Sequence, residues 1–205
     1  NKCNNNCPFC HESSKKNGKH AFLQNIDKII DKLPAGVEIA IGGGNPLLHP
    51  YLYKILCHIR DKNLIANITI NKEQLVKYIP NLVHFQKQKL IYGIGISVSD
   101  ISLFIPEICS ELKNVVLHCI VGNSNPDILY GDMLTHSDSD TNNELITEVF
   151  WPKILVLGAK QYGRGKKYFT SIENKIAYWR YWLPVILNKT QCQISFDNLA
   201  IKQLY

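Results

Sequence analysis

Long apolar runs are missing from this sequence of 205 residues. A membrane-spanning helix needs roughly 20 consecutive apolar residues. No run approaches that length, so no helical span and no membrane partner are expected. Clustered positive charge is scarce as well. The net charge is +6, but Lys and Arg are spread along the chain, with one dense patch at Arg164, Lys166 and Lys167. Nucleic-acid-binding domains gather their cations on one face, so nucleic acid is not an expected partner. A disulfide framework is also lacking. The seven cysteines are an odd number, and Cys57, Cys109, Cys119 and Cys192 stand without pair spacing. That argues against a secreted, disulfide-stapled domain and for a reducing cytoplasm. No leader segment is legible, and because the sequence opens on Asn1 the chain is expected to be clipped at its N-terminal end. There is no repeat and no internal boundary. The length and a hydrophobic content of 45% suit a single domain over residues 1–205 with a full core.

Short apolar runs alternate with amphipathic stretches. Phe22, Ile26, Ile29, Ile30 and Leu33 recur at helical spacing, and Leu52, Ile55, Leu56 and Ile59 repeat it within Tyr51–Ile59. A short helix is expected over Lys72–Ile79, another near Ser102–Leu112 and a longer one over Ile172–Leu187. Strands are expected at Val37–Ile41, Leu64–Ile70, Leu90–Val98, Val115–Val121, Ile154–Leu157 and Gln193–Phe196. Strands separated by helices build right-handed βαβ units and a parallel sheet. Six strands are too few for a closed eight-stranded barrel and suit an open or partial one. Asn123–Asn143, rich in Asn, Asp, Ser and Thr, reads as a loop or loosely ordered insertion.

The first twelve residues, NKCNNNCPFCHE, place Cys3, Cys7 and Cys10 in a polar segment with Pro8 and no hydrophobic period, which is a loop. In βα architectures ligand chemistry sits beyond the C-terminal ends of the strands. Three readings of the cysteines compete. A structural zinc site asks for a fourth Cys or His at partner spacing, and His11, adjacent to Cys10, is badly placed for it. The Cys7-Pro8-Phe9-Cys10 spacing suits a redox dithiol, which leaves Cys3 idle. An iron–sulfur cluster on three thiolates leaves one iron open to a ligand that is not protein.

On these residues the chain resembles the radical S-adenosylmethionine (radical SAM) superfamily. The C-x3-C-x2-C spacing of Cys3, Cys7 and Cys10 matches that family's cluster motif, with Phe9 at its aromatic position. AIGGGNPLLHP, Ala40–Pro50, follows an expected strand and resembles the family's Gly-Gly-Glu-Pro motif, with Gly43, Gly44 and Pro46 in register. The resemblance implies an α/β fold, a partial parallel (β/α) barrel of about six βα units. It also implies a four-iron four-sulfur cluster on Cys3, Cys7 and Cys10, and S-adenosylmethionine on the open iron. Reductive cleavage of that cofactor gives methionine and a 5′-deoxyadenosyl radical, which abstracts hydrogen from a substrate. Gly43 and Gly44 would let backbone approach the methionine end of the cofactor. Asn45 stands where the family has Glu and, with no carboxylate near it in the sequence, is expected to face the cofactor's amino group.

Further matches follow the same resemblance. HCIVGNSN, His118–Asn125, is similar to the family's adenine-contacting strand, which puts Ile120 against the adenine and Gly122 at the turn, while Asn125 departs from an acidic position. GISVSD, Gly95–Asp100, offers Ser97 as a ribose or carboxylate partner, with Ser99 facing the same way. Alternation places His118 beside Ile120 in the barrel, as a pocket residue or a hydrogen-bonded core histidine, and turns Cys119 out towards the helices. Cys57 and Cys109 read as core thiols, and Trp151, Trp179 and Trp182 as packing. The loop with Lys160, Arg164, Lys166 and Lys167 is either a solvated surface or a docking site for substrate or an acidic electron donor. The implied partners are a small flavodoxin- or ferredoxin-type reductant and a peptide or small-molecule substrate. The alternative is a non-catalytic iron–sulfur or zinc-binding protein on the same scaffold.

Overall fold

Six strands pair in sequential order into one parallel sheet: β1 (Glu38–Ile41), β2 (Ile65–Asn71), β3 (Gly93–Val98), β4 (Val115–Ile120), β5 (Lys153–Leu157) and β6 (Gln193–Phe196). They belong to a computed structural model that describes residues 1–99, 111–127, 153–190 and 192–205. Parallel strands in sequential order, joined by the right-handed crossovers such strands favour, set helices on one face of the sheet. The sheet therefore curls away from its helices into a partial (β/α) barrel, open between β1 and β6. The six strands fall on the six apolar runs. Around them lie α1 (Leu23–Ile30), α2 (Leu52–Asp61), α3 (Lys72–Lys87), α4 (Gly165–Tyr168), α5 (Glu173–Lys189) and α6 (Asn198–Leu204). The helix expected near Ser102–Leu112 and the loop expected over Asn123–Asn143 lie largely outside the described residues, as do Cys109 and Trp151. Among the described residues no helix is long and apolar enough to cross a membrane.

Strand alternation decides where the core sits. In β2, Ala66, Ile68 and Ile70 are buried, while Asn67, Thr69 and Asn71 between them are only partly covered. β4 repeats this, with Val115, Leu117 and Cys119 buried and Val116, His118 and Ile120 partly open. The buried rows pack with Leu56 and Ile59 of α2, Leu82 of α3 and Trp179 of α5 in one core between sheet and helices. Each such side chain contributes about 1.5–3 kcal/mol of hydrophobic stabilisation. The opposite face of the sheet, rich in polar residues and glycine, is left as the inner wall of the barrel.

Two helices differ from expectation. α3 does not stop at Ile79 but runs on to Lys87 through Pro80. Proline removes one hydrogen bond and crowds the preceding turn, and the helix absorbs this in a kink at Tyr78 (φ −120°, ψ 16°). Burial of Leu82 and Phe85 beyond the kink holds the second half in place. In α1 the stripe is narrower than its spacing suggests. Ile30 is buried and Ile26 and Leu33 pack on the core, but Phe22 and Ile29 remain 76% and 62% exposed.

α1 is fastened to α2 by His58, whose Nδ1 and Nε2 lie 2.9 Å from Asp27 Oδ1 and 3.0 Å from Asp31 Oδ1. The hydrogen bond to Asp27 raises the His58 pKa above its ordinary 6.5 against the opposing effect of burial, and Asp31 adds to the rise. A pKa raised on folding stabilises the fold fully below the unfolded value and loses that contribution as pH climbs through the folded one. His58→Gln is therefore expected to lower the thermal midpoint most below about pH 6 and least above about pH 8. A deficit independent of pH would assign His58 to packing alone.

Candidate functional site

The cysteine loop is tied down at its base. Cys3 N–H donates to the Lys15 carbonyl at 2.9 Å, and the Lys2 carbonyl accepts the Asn45 N–H at 2.9 Å. Inside the loop Cys10 N–H donates to Cys7 O and Ser13 N–H to Cys10 O, each at 3.2 Å. Asn6 and Ser13 adopt left-handed backbone (φ 49° and 48°), a conformation that reverses the chain tightly and that Asn tolerates better than most residues. The result is that Cys3, Cys7 and Cys10 all line one cavity of about 340 Å³.

That cavity lies at the C-terminal ends of the strands. Gly43 and Gly44 wall one side, and Thr69, Ser97, His118 and Leu157 come from β2, β3, β4 and β5. Asn71, Ser97 and His118 stand in one register row across three strands. Gly95, one step below Ser97 on the same face, makes room for the His118 ring, since a Cβ there would collide with it. His118 is thus a wall residue, and among the described residues its ring makes no hydrogen bond; burial lowers its pKa. Cys119 faces the helices, where burial pushes its thiol up to about 12. Cys57 and Cys192 pack against the same core.

Of the residues expected to bind cofactor, Phe9, Gly43, Gly44, Ser97 and Ile120 share the cavity with the cysteines. Phe9 and Ile120 also pack against Ala159, Phe169 and Ile172. A second cavity of about 470 Å³ shares Cys7, Phe9, Asn71, Ser97 and Ile120 with the first. Gly122 (φ +82°) turns the chain after β4 and gives its carbonyl to Lys175 Nζ at 2.7 Å; it is not part of either wall. Asn45 and Pro46 instead line an apolar cavity of about 260 Å³ against α1 and α2. Pro46 opens a 3₁₀ turn, Pro46–Leu48, and that turn takes the Asn45 oxygen as its cap: Oδ1 accepts Leu47 N–H at 3.0 Å. Asn45 Nδ2 donates to Asn4 Oδ1 at 3.1 Å, and the residue is 2% exposed. Asn45, expected to face the cofactor's amino group, thus has its side-chain amide engaged by Leu47 and Asn4 and does not line the cysteine cavity.

Several cavity residues escaped the sequence reading. Asn71 and Gln74 form a reciprocal capping box at the start of α3, 3.0 Å and 3.1 Å long, a spacing that was legible. Glu12 and His11, next to Cys10, also line the wall, so a carboxylate is present after all. Glu12 Oε2 accepts from Asn1 Nδ2 at 3.1 Å, and a Cβ on Gly43 would sit 3.2 Å from that same nitrogen. Lys160 and Phe169 reach the cavity only through tertiary folding. Of the basic loop, Lys166 and Lys167 are exposed, but Arg164 is half-buried against the cysteine loop.

Burial, then the negative charges of Cys3 and Cys10, then Glu73, push the Cys7 thiol up. Three thiolates this close need a compensating cation, which a metal centre supplies. Burial and the Lys160 charge hold His11 down, so its ring stays neutral. Among the described residues no three Cys, His, Asp or Glu side chains converge where a single ion would sit. A cubane does not require that, because each thiolate takes a separate iron. The residues present fit a cluster, which Cys3, Cys7 and Cys10 would hold in the cavity that Gly43 and Gly44 also line.

Comparison with known proteins agrees. A family model described as the Radical SAM superfamily matches residues 1–123. A probable GTP 3′,8-cyclase of Methanococcus maripaludis (strain C6 / ATCC BAA-1332) is 34% identical over 87 residues, 40% of this chain and 29% of that protein. The chain thus matches less than a third of that relative's length. No solved structure matches. With its matched half carrying both the cysteine loop and the glycine wall, the chain belongs to the radical SAM superfamily, whose cofactors are a four-iron four-sulfur cluster and S-adenosylmethionine.

Proposed function

We propose that this radical SAM enzyme holds its cluster on Cys3, Cys7 and Cys10 and acts on a peptide or small metabolite admitted at the open mouth of the barrel. What carries the reading is that the three cysteines, Gly43, Gly44, Ser97 and Ile120, drawn from separate elements, wall one cavity. The bound cofactors supply a reductively generated carbon radical that removes hydrogen from the substrate. The chain's own residues bind and orient. Gly43 and Gly44 present backbone without side chains, and Phe9 with Ile120 offers an apolar clamp for a flat ring. Ser97 and Thr69 supply hydroxyls, and His118, neutral, can give or take one hydrogen bond. The curated relative is named for a nucleotide reaction; here a nucleotide is one candidate among small metabolites.

The cofactor's ammonium is assigned to Glu12 rather than Asn45. Glu12 lies on the cysteine wall, within one amide of Gly43, whereas the Asn45 oxygen is engaged by Leu47. A charge-assisted bond to a carboxylate is worth on the order of 1.5–3 kcal/mol, roughly ten- to a hundredfold in affinity. A protein reductant of flavodoxin or ferredoxin type fits the exposed Lys166 and Lys167. Exchanging both for Gln is expected to slow reduction by such a donor at low salt, and an unchanged rate would remove them from that role.

The test is anaerobic reconstitution with iron and sulfide, reduction, and assay for 5′-deoxyadenosine with added S-adenosylmethionine. Formation of 5′-deoxyadenosine is expected, and a loaded, reducible cluster that never yields it would leave a non-catalytic iron–sulfur protein. In titrations of the same protein Glu12→Gln should weaken S-adenosylmethionine binding while Asn45→Ala leaves it near wild type. The reverse order would restore Asn45 as the ligand.

A further inference from the structure

Within the basic loop after β5, Lys166 and Lys167 are exposed but Arg164 is turned to the cysteine loop. Arg164, 157 residues from Cys7, donates from Nε to the Cys7 carbonyl at 2.9 Å. Its Nη1 donates to the Ser14 carbonyl at 3.0 Å, and its backbone N–H to the Cys10 carbonyl at 3.1 Å. The glycines on either side are shaped to the same loop. Gly163 takes a positive φ of 54°, and a Cβ there would collide with the His11 carbonyl and stand 2.6 Å from Ser13 Oγ. A Cβ on Gly165 would stand 3.1 Å from the Phe9 carbonyl and collide with that of Lys160. Every residue from Phe9 to His11, and Ser13 and Ser14 beyond, is therefore met by Gly163, Arg164 or Gly165.

We propose that Gly163-Arg164-Gly165 is the seat of the cluster loop, with Arg164 a positioning residue that fixes the Cys7–Cys10 turn and places a permanent positive charge beside the cluster. A guanidinium suits this role because its rigid fork spans two carbonyls at once and its charge cannot be titrated away. Arg164 grips the loop by its carbonyls and does not itself line the cavity, which the three cysteines do. The charge offsets the negative charge that three thiolates bring to the loop. Two of the three contacts come from residues at or adjoining the assigned ligands, so the seat acts on the metal through the backbone. It also makes loading of the N-terminal motif depend on a segment more than 150 residues later in the chain.

The inference rests on the assignment of the cluster to Cys3, Cys7 and Cys10, and its test separates the two. Arg164→Gln, Arg164→Lys and the Lys166→Gln/Lys167→Gln pair are reconstituted anaerobically in the full chain beside Cys10→Ala. Arg164→Gln should take up the cluster with about 10- to 100-fold lower affinity, the usual loss on removing an outer-shell partner. Any cluster it holds should titrate at a more negative potential, since a nearby cation favours the reduced, more negative state. Amide exchange of residues 3–15 in the cluster-free protein should accelerate in Arg164→Gln and not in the Lys166/Lys167 pair. Arg164→Lys, which keeps the charge but reaches one carbonyl, should fall between on loading and near wild type on potential. Should Arg164→Gln fail to fold, the lysine variant decides, and wild-type loading with wild-type loop exchange in it would overturn the proposal. So would a folded Arg164→Gln with unchanged potential and exchange. A Cys10→Ala protein that keeps the cluster would instead refute the ligand assignment and leave the loop-exchange result standing.

Discussion

Replacing Cys3, Cys7 or Cys10 with Ala is expected to abolish the visible absorbance of the reconstituted cluster, while Ala at Cys57, Cys119 or Cys192 leaves it intact. The contrast follows from place and chemistry. The first three line one half-open cavity beyond the strand ends. Cys119 is wholly buried and its thiol is pushed up to about 12, so it stays protonated and out of reach of iron. Cys57 and Cys192 sit among the apolar side chains of the core. Each loop cysteine would serve one iron of the cluster, so losing one thiolate would leave a second iron without a protein ligand. Among the described residues no other cysteine lines that cavity. Iron content, sulfide content and absorbance after anaerobic reconstitution check this, and a Cys10→Ala protein with a full complement of iron would show the assignment to be wrong.

The second large effect lies in three consecutive glycines that answer differently to one methyl group. Gly42→Ala should be tolerated to within about 0.5 kcal/mol, because its Cβ would meet only Thr69 Cβ at 3.8 Å. Gly43→Ala should lose about 1–2 kcal/mol from strain, since φ there is +100°. Gly44→Ala should be the most damaging, roughly 3 kcal/mol or more. Its Cβ would run into the Lys2 carbonyl, the group that accepts the Asn45 N–H at 2.9 Å and fastens the glycine segment to the cysteine loop. The carbonyl must shift and the bond must break, so the lesion spreads to the base of the cluster loop. Chemical denaturation of the three cluster-free variants orders the stabilities. Iron uptake should follow the same order, and equal midpoints for Gly42→Ala and Gly44→Ala would mean that the two segments are not held together as described.

The sequence by itself determined the six strands, because alternating apolar residues commit a segment to one buried face whatever its distant neighbours are. Val115 to Ile120 shows this: Leu117 and Cys119 went to the core, and His118 and Ile120 to the inner wall. The spacing of Cys3, Cys7 and Cys10 was equally legible, since a short loop is its own template. Polar side chains were decided only by the tertiary structure. An amide or guanidinium has several partners of similar energy, and geometry alone chooses among them. Asn45 went to the cap that Pro46 required of it rather than to the cavity. Arg164, read in sequence as one cation of a surface patch, turned inward once folding brought the Cys7 and Ser14 carbonyls within its reach. Pro80, a stop signal locally, was overridden in α3 because Leu82 and Phe85 gain more from burial than one missing hydrogen bond costs.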